Sequence, residues 1–310
     1  MNLAKGRLLL VPTPLDFGCA PLAPITDVLP AATLSAAAQT THWITENAKS
    51  TRAFLKRVGE HQPLALPLQE QTITELPREI HKKGDHKGGF DARPMLKAAM
   101  EGHDVGLVSE AGMPAVADPG SSVVRAAHDL GLQVVPLVGP VSLLLALAAS
   151  GLNGQNFAFV GYLPQDAGER AARLKQLENL ALKTGQTQMW IETPYRNMAM
   201  MGALLQTLQP TTRLAIASGL TLASASIQSR SVAAWKKSAA GPDAQTPAVF
   251  AIGAVVIAGA AGAFFMMQPK APVATTAPAV LAVIWVRPLD SATVPVAFTR
   301  WPSAKIGRAS

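Results

Sequence analysis

The sequence predicts an α/β fold with two domains, built around a mainly parallel sheet that helices cover. Three observations support this fold class. Strand-like and helix-like patterns alternate along the chain, which is typical of a parallel sheet. The length of 310 residues exceeds that of one typical domain. Hydrophobic residues make up 49% of the chain and charged residues only 15%, so a sizeable core can be buried.

The first predicted domain covers residues 1–138. Its strands are short apolar runs between turn-forming residues, and its clearest helix shows apolar residues at helical spacing before Gly131 ends it. A sharp break at Pro136, Gly139 and Pro140 places the domain boundary between residues 138 and 139. The clearest elements are strands over residues 6–11, 104–109 and 132–137 and a helix over residues 121–130.

The second predicted domain covers residues 139–253. It opens with a helix over residues 142–149 that is hydrophobic on nearly every side, so we expect this helix to be enclosed. In a later helix, four apolar residues at helical spacing predict a core face: Met198, Met201, Leu205 and Leu208. The other predicted elements are strands over residues 156–160, 187–191, 213–218, 225–230 and 248–252 and helices over 167–182 and 195–208.

The composition changes after this domain, and residues 254–310 form a low-charge tail rich in Ala, Pro and Val. Residues 248–268 contain no charged side chain, which on length alone is enough for a membrane span. Their many Ala and Gly residues give little insertion energy, which argues against a span. Three interpretations of the tail stay open: a membrane span, a linker, or an artefact of the reading frame.

Net charge and cysteine content limit the range of partners. The net charge is +7, but five basic residues and one acidic residue follow residue 253, which leaves +3 for residues 1–253. The basic composition is therefore weak evidence for nucleic-acid binding. Residues 78–87 carry four basic side chains, which predicts either contact with RNA phosphates or a solvated loop. A single cysteine, Cys19, excludes an intramolecular disulfide and fits the reducing cytoplasm.

Small and turn-forming residues follow the strand at residues 104–109, first in Ser109–Pro114 and again in Asp118–Gly120. Loops at the carboxyl ends of parallel strands build ligand crevices. Gly112 and Gly120 allow the backbone to approach a ligand closely. The segment therefore predicts a small-molecule site. Three residues of the segment can cap the helix that follows: Asp118, Ser121 and Ser122.

Four motifs, taken together and in order, carry a resemblance to a known family. They are LLLVPTPL at residues 8–15, LVSEAGMPAVADPG at 107–120, VVPLVGPVSLLLALAASGLNGQNFAFVGYLPQD at 134–166 and WIETPYRN at 190–197. The set resembles the ribosomal small-subunit RNA 2'-O-ribose methyltransferase family, a branch of the tetrapyrrole (corrin and porphyrin) methylase fold. The resemblance implies a tetrapyrrole-methylase-like fold whose first sheet is mainly parallel and whose second is mixed. It also implies a homodimer.

The resemblance implies S-adenosylmethionine as the cofactor, held between the two domains chiefly by backbone groups. For residues 139–142, a simple turn between domains stays the less favoured alternative, because such turns use the same residue types. We expect no metal site, because no cluster of cysteines or carboxylates surrounds the histidines. Matched motif by motif, the resemblance implies cofactor contacts at Pro12, Ser109, Glu110, Ala111, Gly112, Asp118, Gly120, Gly139, Pro140, Val141 and Ser142.

Methyl transfer from a sulfonium to an oxygen is an in-line displacement, which alignment accelerates and a base can assist. The predicted catalytic carboxylates are Glu46 in ITENAKSTR and Glu192 in IETPYR, both matched to acidic positions of the family. Glu110 and Asp118 are further candidates by residue type. A structural role for Glu192 stays open, as the partner of Arg196 or as a carboxylate at a helix amino terminus.

The function that the resemblance implies is methylation of a ribose 2'-hydroxyl of ribosomal RNA. Methylation of a small tetrapyrrole-like molecule, cofactor binding without catalysis and a membrane-tethered protein are the alternatives. The chain departs from the family in Thr193 and Tyr195, where the family has Ser and His, and in residues 219–222, where Gly-Leu-Thr-Leu replaces Glu-Leu-Thr-Lys. We interpret the chain as a divergent paralogue that retains the cofactor site better than the acceptor site.

Overall fold

The computed structural model describes residues 4–254, except residues 17, 84, 86–88, 239–240 and 243–244 and the side chains of residues 81–83. The predicted tail, most of the candidate span at 248–268 and much of the basic segment at 78–87 lie outside the described residues. Within the described part of the chain, no helix is long and apolar enough to cross a membrane.

The first half of the described chain forms a sheet of five parallel strands, which confirms the predicted mainly parallel sheet type. Its spatial order is β3-β2-β4-β1-β5. The strands are β1 (Arg7–Val11), β2 (His42–Thr45), β3 (Thr72–Glu75), β4 (Val105–Val108) and β5 (Gln133–Pro136). The helices are α1 (Ala31–Gln39), α2 (Ala48–Gly59), α3 (Arg78–Lys83), α4 (Lys97–Met100) and α5 (Ser121–Asp129). The sequence analysis had not identified β2 or β3.

The second half forms a mixed sheet in the order β6-β7-β10-β8-β9, which confirms the predicted sheet type. β6 runs parallel to β7, and the other neighbours are antiparallel. The strands are β6 (Phe157–Phe159), β7 (Thr187–Glu192), β8 (Arg213–Ser218), β9 (Ser226–Ser231) and β10 (Ala248–Gly253). The helices are α6 (Ser142–Ser150), α7 (Ala167–Thr184), α8 (Asn197–Thr207) and α9 (Val232–Lys236).

Each sheet is covered on both faces, which explains why its central strands are apolar throughout. In β1, Leu8 packs in a cluster with α5, while Leu9 and Val11 pack on the opposite face with α1 and α2. In the second sheet, the rings of Trp190 and Phe250 stack with centroids 5.9 Å apart. Burial on both faces is consistent with the interior positions of β1 and β10 in their sheets.

The structure corrects two predictions about burial. We expected helix α6 to be enclosed, but Leu144 is 52% exposed, and only one face of the helix packs on the second sheet, through Leu143 and Leu147. Because nearly all residues of α6 are hydrophobic, the sequence pattern does not show which face of the helix packs on the sheet. We also expected Met198 in the core, but it is exposed in the first turn of α8, although Met201 is buried as predicted.

Both sheets belong to one compact unit. The division of this unit into domains at residues 138 and 139 therefore stays a prediction.

Candidate functional site

A cavity of about 230 Å³ lies between the two sheets. The loop after β4 lines one side with Gly112 and Asp118, and the residues after β7 line the other with Glu192 and Thr193. Because β10 runs antiparallel to β7 and β8, its first residues lie beside their last ones. The cavity thus sits where the strand ends of both sheets meet, the usual position of a ligand site in an α/β protein.

The loops after β1 and β4 are joined to each other by backbone hydrogen bonds. The Thr13 N–H donates to the Gly112 carbonyl at 2.9 Å, and the Gly112 N–H donates to the Thr13 carbonyl at 3.1 Å. Thr13 Oγ1 also donates to the Ser109 carbonyl. Gly112 has a φ of +80°, and a Cβ there would come within 3.0 Å of the Leu15 side chain. Glycine is therefore required at this junction on both conformational and steric grounds.

Asp85 holds the amino terminus of α5, directly after the cavity loop. Its carboxylate accepts hydrogen bonds from the backbone N–H groups of Gly120 and Ser122 and from the hydroxyls of Ser121 and Ser122. Burial alone would raise the pKa of Asp85, but these hydrogen bonds outweigh burial and lower the pKa to about 2. The sequence analysis missed Asp85 and predicted caps from within residues 118–122 instead.

A second pocket beside the cavity brings carboxylates together. It is lined by Glu46, Glu110 and Asp118, and it shares Asp118 and Tyr162 with the main cavity. Burial and the neighbouring charge of Asp118 raise the pKa of Glu46 to about 8. Burial likewise raises the pKa of Asp118 to about 6, helped by the charge of Glu110. Glu46 is therefore mostly protonated at pH 7, whereas Asp118 is mostly ionised there.

Glu192 lines the main cavity and lies in an ion pair. Its Oε1 is 2.9 Å from Nη2 of Arg196, and both side chains are largely buried. Burial raises the pKa of Glu192, and the positive charge of Arg196 opposes that rise. The structural role that the sequence left open, a pairing with Arg196, is confirmed, and it coexists with a position in the cavity wall.

The structure brings only part of the predicted site together. Six predicted residues line the main cavity: Ala111, Gly112, Asp118, Val141, Ser142 and Glu192. Glu46 and Glu110 line the second pocket. Five predicted cofactor contacts line neither: Pro12, Ser109, Gly120, Gly139 and Pro140.

Four of these five residues make contacts that support the loops of the cavity wall: Pro12, Ser109, Gly120 and Gly139. A Cβ on Gly139 would come within 2.3 Å of Pro12 Cγ, so glycine lets the hinge pack against the β1 loop. Gly120 donates its N–H to Asp85, and the Ser109 carbonyl accepts from Thr13. Their role as cofactor contacts stays a prediction, and their contacts in the structure help to fix the loops that line the cavity.

The second sheet contributes wall residues that the sequence analysis did not predict. They lie after β8 and at the start of β10, where a turn follows or precedes a buried strand. The turn after a buried strand was visible in the sequence, but residues 219–222 were interpreted only as the loss of the family's Glu and Lys. The missed wall residues around these two positions are Gly219, Leu220, Thr246, Pro247, Ala248 and Val249; Ala217 within β8, Tyr162 after β6 and Leu15 after β1 were missed as well.

Two alanines of the loop after β4 have left-handed backbone conformations, with φ of 63° at Ala115 and 66° at Ala117. Residues with a Cβ adopt this region at a cost of about 1 kcal/mol or more. Ala117 lines both pockets. The surrounding contacts therefore impose the shape of this wall on the loop.

Comparison with known protein families supports an assignment for this architecture. A family model described as Tetrapyrrole (Corrin/Porphyrin) Methylases matches residues 35–232. A curated relative from Mesorhizobium japonicum, the ribosomal RNA small subunit methyltransferase I, is 40% identical over 138 residues, which is 44% of this chain and 45% of the relative. The protein of the same name from Escherichia coli O157:H7 is 34% identical over 179 residues, 56% of this chain and 53% of the relative.

The chain thus spans about half the length of the curated relatives it matches. Among solved structures, the uroporphyrin-III-C-methyltransferase from Thermus thermophilus aligns with 86% of this chain and all of its own. That alignment has 17% identity and a TM-score of 0.41.

Proposed function

This chain belongs to the tetrapyrrole (corrin/porphyrin) methylase family, and from that premise we propose that it methylates a ribose 2'-hydroxyl of ribosomal RNA with S-adenosylmethionine. One observation carries the proposal: the family's motif residues line a cavity between the two sheets. The choice of acceptor is supported by the names of the curated relatives, which are ribosomal RNA methyltransferases.

The residues of the cavity fit such a cofactor. Gly112 and Gly219 have positive φ angles, so the backbone can approach a ligand with no side chain between them. Leu143, Ile191 and Val249 give the wall an apolar character that suits a purine ring and a thioether chain. When bound, the cofactor supplies a methyl group on a positively charged sulfur, and nearby carboxylates favour that charge.

The carboxylates of the main cavity and of the second pocket have different roles in our proposal. Glu46 lies in the pocket beside the cavity, and its raised pKa of about 8 makes it a stronger base than an ordinary glutamate. In our proposal the ionised form of Glu46, which predominates only above pH 8, accepts the proton of the ribose hydroxyl, so methyl transfer should become faster as pH rises toward 8. Glu192, paired with Arg196, keeps the opposite wall in place and carries negative charge into the cavity.

We propose further that the protein acts as a homodimer in the cytoplasm, as the family resemblance implies. Light scattering on the eluted peak of a gel-filtration column measures the first property. A monomer mass at micromolar protein concentration would contradict it.

Cofactor binding is best tested with a pair of glycine variants. In Gly112→Ala the new Cβ meets Leu15 in the cavity wall, so we expect at least about tenfold weaker binding of S-adenosylmethionine by calorimetry. Gly151→Ala is the matched control. Gly151 also has a positive φ, of 69°, but a Cβ there meets nothing within 4 Å and lies outside the cavity. Equal affinities of the two variants would contradict the assigned cofactor site.

A methyl-transfer assay with labelled cofactor tests which acceptor the protein uses. The purified full chain is incubated with methyl-labelled cofactor and with separate RNA and small-molecule fractions from cells that lack the protein. Label in ribosomal RNA is the expected result. Label in the small-molecule fraction alone would replace the RNA acceptor by a tetrapyrrole-like one. Cofactor uptake without label in either fraction would indicate a binding protein.

A further inference from the structure

The chain contains only two tyrosines, and both line the same outer pocket. Tyr162 follows β6, and Tyr195 lies in the single turn that follows β7. Both rings are exposed: Tyr162 is 55% and Tyr195 79% accessible to solvent. Large aromatic side chains that stay outside the core and converge on one pocket are typical of binding surfaces.

Tyr162 links this outer pocket to the reaction centre. It lines the main cavity with Glu192, it lines the carboxylate pocket with Glu46, and it lines the outer pocket with Tyr195. A molecule bound against the tyrosines is therefore adjacent to the place where we propose that a hydroxyl group reacts. Tyr195 itself lies outside the main cavity, so its ring is free to serve an acceptor without contacting the cofactor.

The backbone beneath the two rings is held in place by arginines. Arg196 Nη2 donates to the Leu163 carbonyl at 3.1 Å, and Arg170 Nη1 donates to the Gln165 carbonyl at 2.9 Å. Arg196 is also the ion-pair partner of Glu192. The segment after Tyr162 and the turn that carries Tyr195 are thus joined through one guanidinium group. Such a fixed platform loses little entropy when a ligand stacks on it.

We infer that Tyr162 and Tyr195 form a stacking site for an unpaired nucleobase of the RNA acceptor, beside the reaction cavity. This inference rests on the proposed function. A ribose hydroxyl can enter a narrow cavity only if its nucleotide leaves the helical stack, and the displaced base or its neighbour then needs an apolar face. Tyrosine rings supply such faces for any base. Arg196 adds positive charge to the same pocket.

The test measures RNA affinity, the KM for RNA, kcat and cofactor affinity for single variants of the full chain. The probe is a short single-stranded RNA of mixed sequence. Loss of one stacking ring in Tyr195→Ala should weaken RNA binding by about 5-fold to 100-fold and raise the KM for RNA. Tyr195→Phe keeps the ring face and should bind RNA as the wild type does. Cofactor affinity should be unchanged in both variants.

Phe157→Ala provides the matched control, because Phe157 is another exposed aromatic residue but lines none of these three pockets. Its RNA affinity should equal that of the wild type. Thermal unfolding of each variant verifies folding, and Tyr162→Ala provides a second measurement of the same site.

Two outcomes would overturn the inference in distinguishable ways. If the wild type methylates RNA and both Tyr195→Ala and Tyr162→Ala bind RNA normally, the stacking site is wrong while the methyltransferase proposal stands. If the wild type binds the cofactor but neither binds nor methylates RNA, the proposed acceptor fails and the stacking site fails with it.

Discussion

At the scale of single residues, the most informative group is the carboxyl of Glu46. It is partly buried beside Asp118 and Glu110, and its Oε2 accepts a long hydrogen bond of 3.4 Å from the Glu110 N–H. Its pKa of about 8 lies well above the ordinary value of 4.5. A carboxyl group with such a raised pKa stays protonated at neutral pH, and its ionisation at higher pH lowers the stability of the folded protein. Strongly shifted pKa values of this kind are concentrated at functional sites of enzymes.

The variant Glu46→Gln should change the pH dependence of stability. Between pH 4.5 and 8 the unfolded chain releases this proton while the folded chain retains it, so stability falls as pH rises through that window. Glutamine removes the effect. Relative to the wild type, the free energy of unfolding should therefore rise between pH 5 and pH 8 by on the order of 1 to 3 kcal/mol, after allowance for solvent screening.

Urea denaturation across this pH range measures the difference, and the same variant should lose methyl transfer if Glu46 is the base. Glu60→Gln is the control, because Glu60 is an exposed glutamate at the end of α2. A constant offset between Glu46→Gln and the wild type from pH 5 to pH 8 would contradict the prediction.

At the scale of elements, the link between Asp85 and α5 is the least expected feature. Four hydrogen bonds from residues 120–122 converge on one carboxylate that is only 5% exposed. The helix begins directly after the cavity loop, so this contact fixes the loop at its carboxyl end. The bonds Thr13–Gly112 fix it nearer its amino end.

Removal of this cap in Asp85→Ala should lower the free energy of unfolding at pH 7 by about 1 to 3 kcal/mol, because it leaves buried donors without a partner. The pKa of Asp85 is lowered from 3.8 to about 2, so the stabilisation exists above pH 3.8 and is lost as pH falls through 2. Denaturation at pH 7 and at pH 2.5 measures both effects. Asp91→Ala, at an exposed ion pair with Arg93, should leave stability unchanged.

Elements with local signals were predictable from the sequence, and long-range contacts were not. The strand β4, the loop after it and α5 follow from an apolar run, turn-forming residues and helical spacing within residues 104–131. Asp85 could not be found this way, because it lies 35 residues or more from its partners and within a charged segment typical of solvated loops. Glu46 was identified only through the resemblance. Its proximity to Asp118 could not be predicted, because the folded sheet brings these distant positions together.

At the scale of the whole molecule, the four core clusters include residues of both sheets, and all of their residues lie between Leu8 and Ile252 in the sequence. A chain that ends at Ala254 keeps every described element. We expect its free energy of unfolding to match that of the full chain within about 0.5 kcal/mol, because every residue of these core clusters is retained. Urea denaturation followed by circular dichroism measures this.

A chain that ends at Pro247 is the matched comparison. It lacks β10, which lies between β7 and β8. We expect this chain to lose cooperative unfolding, because Phe250 and Ile252 belong to the core of the second sheet. Cooperative unfolding of the shorter chain, or loss of it in the chain ending at Ala254, would contradict the prediction.

The position of β10 also has a consequence for biosynthesis. A ribosome makes β6 to β9 first, yet β7 and β8 have no strand between them until residues 248–253 emerge. The first sheet, whose strands all precede residue 137, can assemble earlier. Nascent chains therefore pass through a stage with one finished sheet and one split in two. During that stage the unpaired edges of β7 and β8 are open to chaperones and to association with other chains.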